Sequence, residues 1–95
     1  MNIIFDKEIY PLEETEMKIT ITLLEYNNTS IIVEKLYELI PIKIDFINNK
    51  YIVSLLLPKI NFRDESGIIK IKIINNNKEI IKHIVPFRDN YLYTL

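Results

Sequence analysis

Residues 67–85 read GIIKIKIINNNKEIIKHIV, and the fold turns on how they are read. Ile69, Ile71 and Ile73 alternate with Lys70 and Lys72, the period-two pattern of a strand with one buried and one wet face. Asn75, Asn76 and Asn77 supply turn residues that tolerate positive φ. Ile80, Ile81, Ile84 and Val85 bring the chain back. The stretch therefore predicts a β-hairpin.

A second hairpin lies upstream. Ile42, Ile44 and Phe46 alternate with Lys43 and Asp45, then Asn48, Asn49 and Lys50 turn the chain. Tyr51, Val53, Leu55 and Leu57 return it. The two stretches align, IKIDFINNKYIVSLLLP over 42–58 with IKIKIINNNKEIIKHIVP over 69–86, Asn77 being the one extra residue. The alignment matches Ser54 with Lys82, which predicts that both lie on the wet face. It turns Val53, Leu55 and Leu57 inward in one hairpin, and Ile81, His83 and Val85 inward in the other. A slip of one residue places Lys82 in the core, at a cost of several kcal/mol.

The N-terminal half continues the pattern. Residues 2–6 read as a short edge strand and 7–14 as a bend. Pro11 has no N–H to give a ladder, so it sits at an edge or outside a sheet. Met17, Ile19, Ile21 and Leu23 alternate with Lys18, Thr20 and Thr22 in a strand over 16–26, followed by a turn over 27–30. Residues 30–40 carry two readings. Ile32, Val33, Leu36, Tyr37, Leu39 and Ile40 form an amphipathic helical face, with Ser30 as N-cap and Pro41 as stop. The β-branched run Ile31-Ile32-Val33 and the all-β context favour a bulged strand. Residues 58–66 form a polar connection anchored by Ile60 and Phe62, and an aromatic tail occupies 87–95.

Ninety-five residues suit one domain, 1–95, with a modest core. Ile is the commonest residue, and a single Gly leaves turn work to Asn. A net charge of −1 argues against a general polyanion binder. The absence of Cys excludes disulfides and thiolate metal sites. The N-terminus does not read as a signal peptide, and no apolar run approaches the roughly 20 residues of a membrane span. The expected location is cytoplasmic, with no membrane association.

Seven short strands with regular turn signals predict a two-sheet sandwich. Asp64-Glu65-Ser66-Gly67-Ile68-Ile69-Lys70-Ile71 resembles the entry to strand F of immunoglobulin-like domains. Leu55-Leu56-Leu57-Pro58 resembles the end of their strand E. Tyr10-Pro11-Leu12-Glu13-Glu14-Thr15 is similar to the bend before strand B in fibronectin type III and macroglobulin-type sandwiches. Ile69 and Ile71 stand where an antibody domain has its corner Tyr and its Cys, and there is no Trp for strand C. The resemblance thus implies only the generic architecture: an all-β, seven-stranded Ig-like sandwich, with the 42–58 hairpin as strands D and E and the 67–85 hairpin as F and G. The alternative is an α+β fold with a helix at 30–40.

No chemistry-bearing constellation stands out. His83 is the single His and reads as a half-buried strand residue. Ser30, Ser54 and Ser66 lack a nucleophile elbow. Glu13, Glu14 and Glu16 lack the spacing of a calcium loop. Asn27-Asn28-Thr29-Ser30 holds two overlapping glycosylation sequons, which matter only in a secreted chain. Lys70, Lys72, Lys78 and Lys82 read as a wet-face stripe suited to phosphates or, more plainly, to keeping an Ile-rich edge soluble. Phe87, Tyr91, Leu92 and Tyr93 form an apolar, aromatic end of a kind favoured at interfaces. The expected function is therefore a non-catalytic protein–protein interaction module, a small subunit or accessory protein. It needs no cofactor and no small-molecule substrate. Its partner is another protein or a second copy of itself. The alternative is a nucleic-acid-associated accessory protein using the lysines.

Overall fold

The computed structural model describes residues 1–26, 28–60 and 67–89. All of the regular structure in them is β, in two antiparallel four-stranded sheets and one two-residue parallel pair. The first sheet holds β1 (Asn2–Phe5), β3 (Thr15–Thr22), β7 (Lys50–Leu57) and β6 (Ile42–Ile47), in the order β1-β3-β7-β6. The second holds β5 (Glu38–Ile40), β4 (Thr29–Lys35), β8 (Ile69–Asn75) and β9 (Lys78–Ile84), in the order β5-β4-β8-β9. β2 (Tyr10–Pro11) pairs with β10 (Arg88–Asp89).

Alternation builds the core. Met17, Ile19 and Ile21 of β3 are buried with Val53, Leu55 and Leu57 of β7. Ile31 and Val33 of β4 face them with Ile69, Ile71 and Ile73 of β8. No buried side chain among the described residues is polar or charged apart from the Tyr10 hydroxyl, which is hydrogen-bonded. A fully buried Ile contributes roughly 1.5–3 kcal/mol, so a few such stripes hold a chain that has no disulfide.

Hairpin turns use residues with positive φ in place of Gly. Asn48 and Asn49 have φ of 52° and 60°, and Asn76 and Asn77 have 55° and 66°. Positive φ at both central residues is the type I′ signature, whose twist suits two-residue hairpins. Gly67 serves space instead. A Cβ built there lies 3.1 Å from the Ile60 Cδ1 and 3.8 Å from a Val85 methyl.

Three expectations need correction. The seven predicted strands become ten among the described residues, because 30–40 splits into two and the Pro11 bend pairs with 88–89. Residues 30–40 are β, as the favoured reading has it, and the alternative helix is absent; the correction is that they form a hairpin in place of one bulged strand. Val33 pairs with Ile40 and Lys35 with Glu38, so the segment is a β4–β5 hairpin turning at Leu36-Tyr37. Its apolar residues satisfy a helical stripe on paper, but the sheet buries only Ile31 and Val33 fully.

The third correction concerns the inward face of β9. Ile71 pairs with Lys82, Ile73 with Ile80 and Ile69 with Ile84, so Ile80, Lys82 and Ile84 share the inner face. Ile81, His83 and Val85 are exposed instead. Both hairpins turn on two residues, so the extra Asn of the second lengthens β8 and not the turn. One added strand residue flips every side chain of the returning strand relative to the alignment. Lys82 avoids the expected penalty because β9 is an edge. Its side chain is exposed and borders a cleft lined by Met1, Ile3, Phe5 and Ile84.

Urea unfolding checks this register. Ile73→Ala is expected to cost about 2–5 kcal/mol and Ile81→Ala less than about 1 kcal/mol. Equal costs would contradict it.

Candidate functional site

The sandwich has two unlike ends. At one, the Asn turns are tied down. The Asn75 amide donates to the Glu25 carbonyl at 2.8 Å and to Thr29 Oγ1 at 2.9 Å. Tyr26, Phe46 and Tyr51 pack edge-on or tilted, with centroids 5.0–5.3 Å apart. The Tyr26 hydroxyl accepts from the Leu23 N–H at 3.1 Å and donates to the Asn49 carbonyl. Every polar group named here has a structural duty.

At the other end Arg88 ties the connection from β1 to β3 to the chain leaving β7. Its Nε donates to the Pro11 carbonyl at 2.7 Å. One terminal nitrogen reaches the carbonyls of Leu12 and Glu13, both at 3.0 Å, and of Pro58 at 3.1 Å. Burial lowers the guanidinium pKa below its ordinary value, yet the group stays charged, and a charge on the donor strengthens each bond. Beside it the Tyr10 N–H donates to the Phe87 carbonyl at 2.9 Å.

Tyr10 is fully buried, and its hydroxyl donates to Asp6 Oδ1 at 2.7 Å. The same oxygen accepts the Lys18 N–H at 3.0 Å, and the Tyr10 oxygen accepts the Lys7 N–H at 3.2 Å. Desolvation, then the bond to Asp6, push the Tyr10 pKa up to about 12. For Asp6, desolvation acts upward, but the bonds from Lys18 and Tyr10 and the Lys7 charge outweigh it and hold the carboxyl low.

Between these anchors and the β4–β5 hairpin opens a groove of about 440 Å³. Leu36, Leu39, Pro41, Leu56 and Pro58 line it, and Glu14, Lys35 and Glu38 contribute charges. The hairpin turns on Leu36 and Tyr37, at φ of 51° and 67°. Neither is a residue that favours this region, where a side chain with a Cβ costs roughly 1–2 kcal/mol. Neither recovers that cost by packing, since Leu36 is 60% exposed and Tyr37 100% exposed. The tip is a strained, apolar protrusion beside a groove of mixed apolar and charged lining.

The groove end also carries part of the aromatic segment singled out in the sequence. Phe87 is 63% exposed, one residue before the Arg88 anchor. Tyr91, Leu92 and Tyr93 lie outside the described residues. Leu36 and Tyr37 read as strand or helix in the sequence, so their display at a turn is not foreseen there. The available signal was the polar pair Lys35 and Glu38 flanking them, too weak without an Asn or Gly.

The four lysines do not form one face. Lys70 and Lys72 point outward from the second sheet, 4.0 Å from Glu34 and 3.2 Å from Glu79. Lys82 and Lys78 belong to the opposite face of β9. His83 is exposed, Ser54 lies on the outer face across from Lys18, and Ser30 is exposed at the start of β4. Ser66 lies outside the described residues. Glu13, Glu14 and Glu16 are exposed, Glu13 lying 3.7 Å from Lys59 and Glu16 3.9 Å from Lys18. Among the described residues no group of three or more His, Asp or Glu is placed to hold a metal ion. No helix there is long and apolar enough to cross a membrane. No protein-family model, curated protein or solved structure matches the chain.

The Asp6–Tyr10 pair predicts how stability follows pH. A lowered carboxylate pKa contributes stability above the unfolded value of about 4, and loses it as pH falls through the folded value. A raised phenol pKa holds its contribution below pH 10 and loses it towards about 12. Asp6→Ala is expected to destabilise by about 1–3 kcal/mol at neutral pH, by orphaning the Tyr10 hydroxyl. The deficit should shrink in acid; denaturant midpoints across pH check both limbs.

Proposed function

We propose that the domain is a non-catalytic protein–protein interaction module of Ig-like architecture, a small subunit or accessory protein of a larger assembly. The strand orders support the architecture. Immunoglobulin-like domains place strands A, B, E and D in one sheet and C, F and G in the other. Labelling β1, β3, β7 and β6 as A, B, E and D, and β4, β8 and β9 as C, F and G, reproduces that order, with β5 as an added C′.

The observation that carries the functional reading is the Leu36-Tyr37 turn. Two large apolar side chains in the left-handed region, both exposed, lower stability without serving the fold. Tyr is a favoured contact residue in interfaces, and a groove beside it, apolar in most of its lining with charges from Glu14, Lys35 and Glu38, gives a partner somewhere to seat. Phe87 stands beside this surface, because Arg88, the next residue, bonds the carbonyl of Pro58, a groove wall.

Replacing the turn tests this. Leu36→Asn with Tyr37→Gly installs the preferred type I′ pair. The variant is expected to gain about 1–2 kcal/mol in stability and to lose the partners that the unaltered bait captures from its native cell extract. A more stable variant that keeps every partner would contradict the proposal. A chain ended after Arg88 retains the four guanidinium bonds. It should melt within a few degrees of the full chain and bind its partners more weakly; a chain that unfolds would make the tail structural.

A further inference from the structure

A different surface, β6, carries a second inference that does not depend on the groove. β6 is the outer strand of its sheet. The two-residue turn at Asn48-Asn49 makes Ile47 and Lys50 the closing hydrogen-bonded pair. Alternation from there points the N–H and C=O of Lys43 and Asp45 at β7, across from Ser54 and Ile52. Those of Ile42, Ile44 and Phe46 point to the free edge. Among the described residues no backbone hydrogen bond reaches that edge.

The same residues leave apolar surface open. Ile44 is 42% exposed and Phe46 52%, on the side of β6 that faces the second sheet. Across from β6, β5 has only three residues and cannot cover its length. The other edges differ. β1 has four residues, and β9 turns Lys82 inward, a charge that discourages strand addition.

We infer that β6 pairs antiparallel with β6 of a second copy of this chain, about a two-fold axis at Ile44. In that register Ile42 faces Phe46 of the second copy, Ile44 faces its own counterpart, and Phe46 faces Ile42. All three pairs present their backbone groups to each other, so the edge is satisfied throughout. On the outer face Lys43 meets Asp45 of the second copy, and Asp45 meets Lys43. Among the described residues neither side chain makes an ion pair within its own chain. These are non-hydrogen-bonded positions across the new junction, where side chains approach most closely. A shift of the axis to Lys43 opposes Lys43 to Lys43, and a shift to Asp45 opposes Asp45 to Asp45. Only the register centred on Ile44 combines full backbone pairing with opposite charges. The joined sheets form one closed pair, since the two-fold uses each edge once.

Sedimentation equilibrium of the full chain tests this. The expected mass is twice 11.4 kDa at high concentration, dissociating on dilution. Lys43→Asp and Asp45→Lys are each expected to weaken self-association about tenfold or more. Mixing the two variants should restore association as a heterodimer, because each then sets two charges of one sign against two of the other. A monomer at every concentration, an open-ended polymer, single variants that associate like the unaltered chain, or a mixture that does not recover would each overturn it. Partner capture by the groove uses other residues, so its loss or survival in these variants reads separately.

Discussion

Ile71, midway along β8, is fully buried, with Ile69 and Ile73 on the same face and the stripe of β3 and β7 opposite. Each sheet has one such stripe, and each can leave water only against the other. That mutual burial is the constraint from which the remaining features follow. There is no disulfide among the described residues to share the load, so the central strands must keep strict alternation. The turns must then deliver each strand in register, and the positive-φ Asn pairs do so. The connections at the far end must close the core without adding bulk. Arg88 does that with one side chain and four backbone carbonyls.

Alternation protects the middle of the sandwich better than its sides. On the side formed by β1 and β9, the strand facing outward is short or carries an inward lysine. On the side formed by β5 and β6, the chain passes from one sheet to the other at Pro41, and β5 is too short to roof β6. Apolar groups are left outside here: Leu36 and Leu39 at the hairpin, Ile44 and Phe46 along the edge. Exposed apolar side chains also occur elsewhere, Ile4, Leu24 and Ile81 among them, so it is the adjacency of these four to a groove and an open strand edge that supports a reading as contact surface. The strain at Leu36-Tyr37 points the same way, because it is stored in a turn that serves no packing need.

Much of the framework was legible in the sequence because period-two alternation is a local signal. The inner faces of β3, β7 and β8 follow directly from Met17, Ile19, Ile21, Val53, Leu55, Ile69, Ile71 and Ile73. The inner face of β9 was not legible. It depends on whether the extra Asn enlarges the turn or the strand, and three consecutive Asn allow both. The turn within residues 30–40 was hidden for a related reason, although their β character was not. A type I′ turn is normally announced by Asn or Gly, and Leu36-Tyr37 announces nothing. The groove was invisible because its walls come from β5, β7 and the bends before β3 and after β7, far apart in the chain. The free edge of β6 was equally hidden, since no sequence pattern says which strand of a hairpin ends a sheet.

Amide hydrogen exchange along β6, followed at high and low protein concentration, tests most directly whether this open side is a contact surface. The amides of Lys43 and Asp45 face β7 and should be protected at every concentration. Those of Ile42, Ile44 and Phe46 should be protected in concentrated solution and exchange freely on dilution. If these three exchange freely even where the protein is most concentrated, the edge pairs with nothing and the claim fails. If they stay protected however dilute the chain, the edge is closed within the monomer, and the side described as open is not.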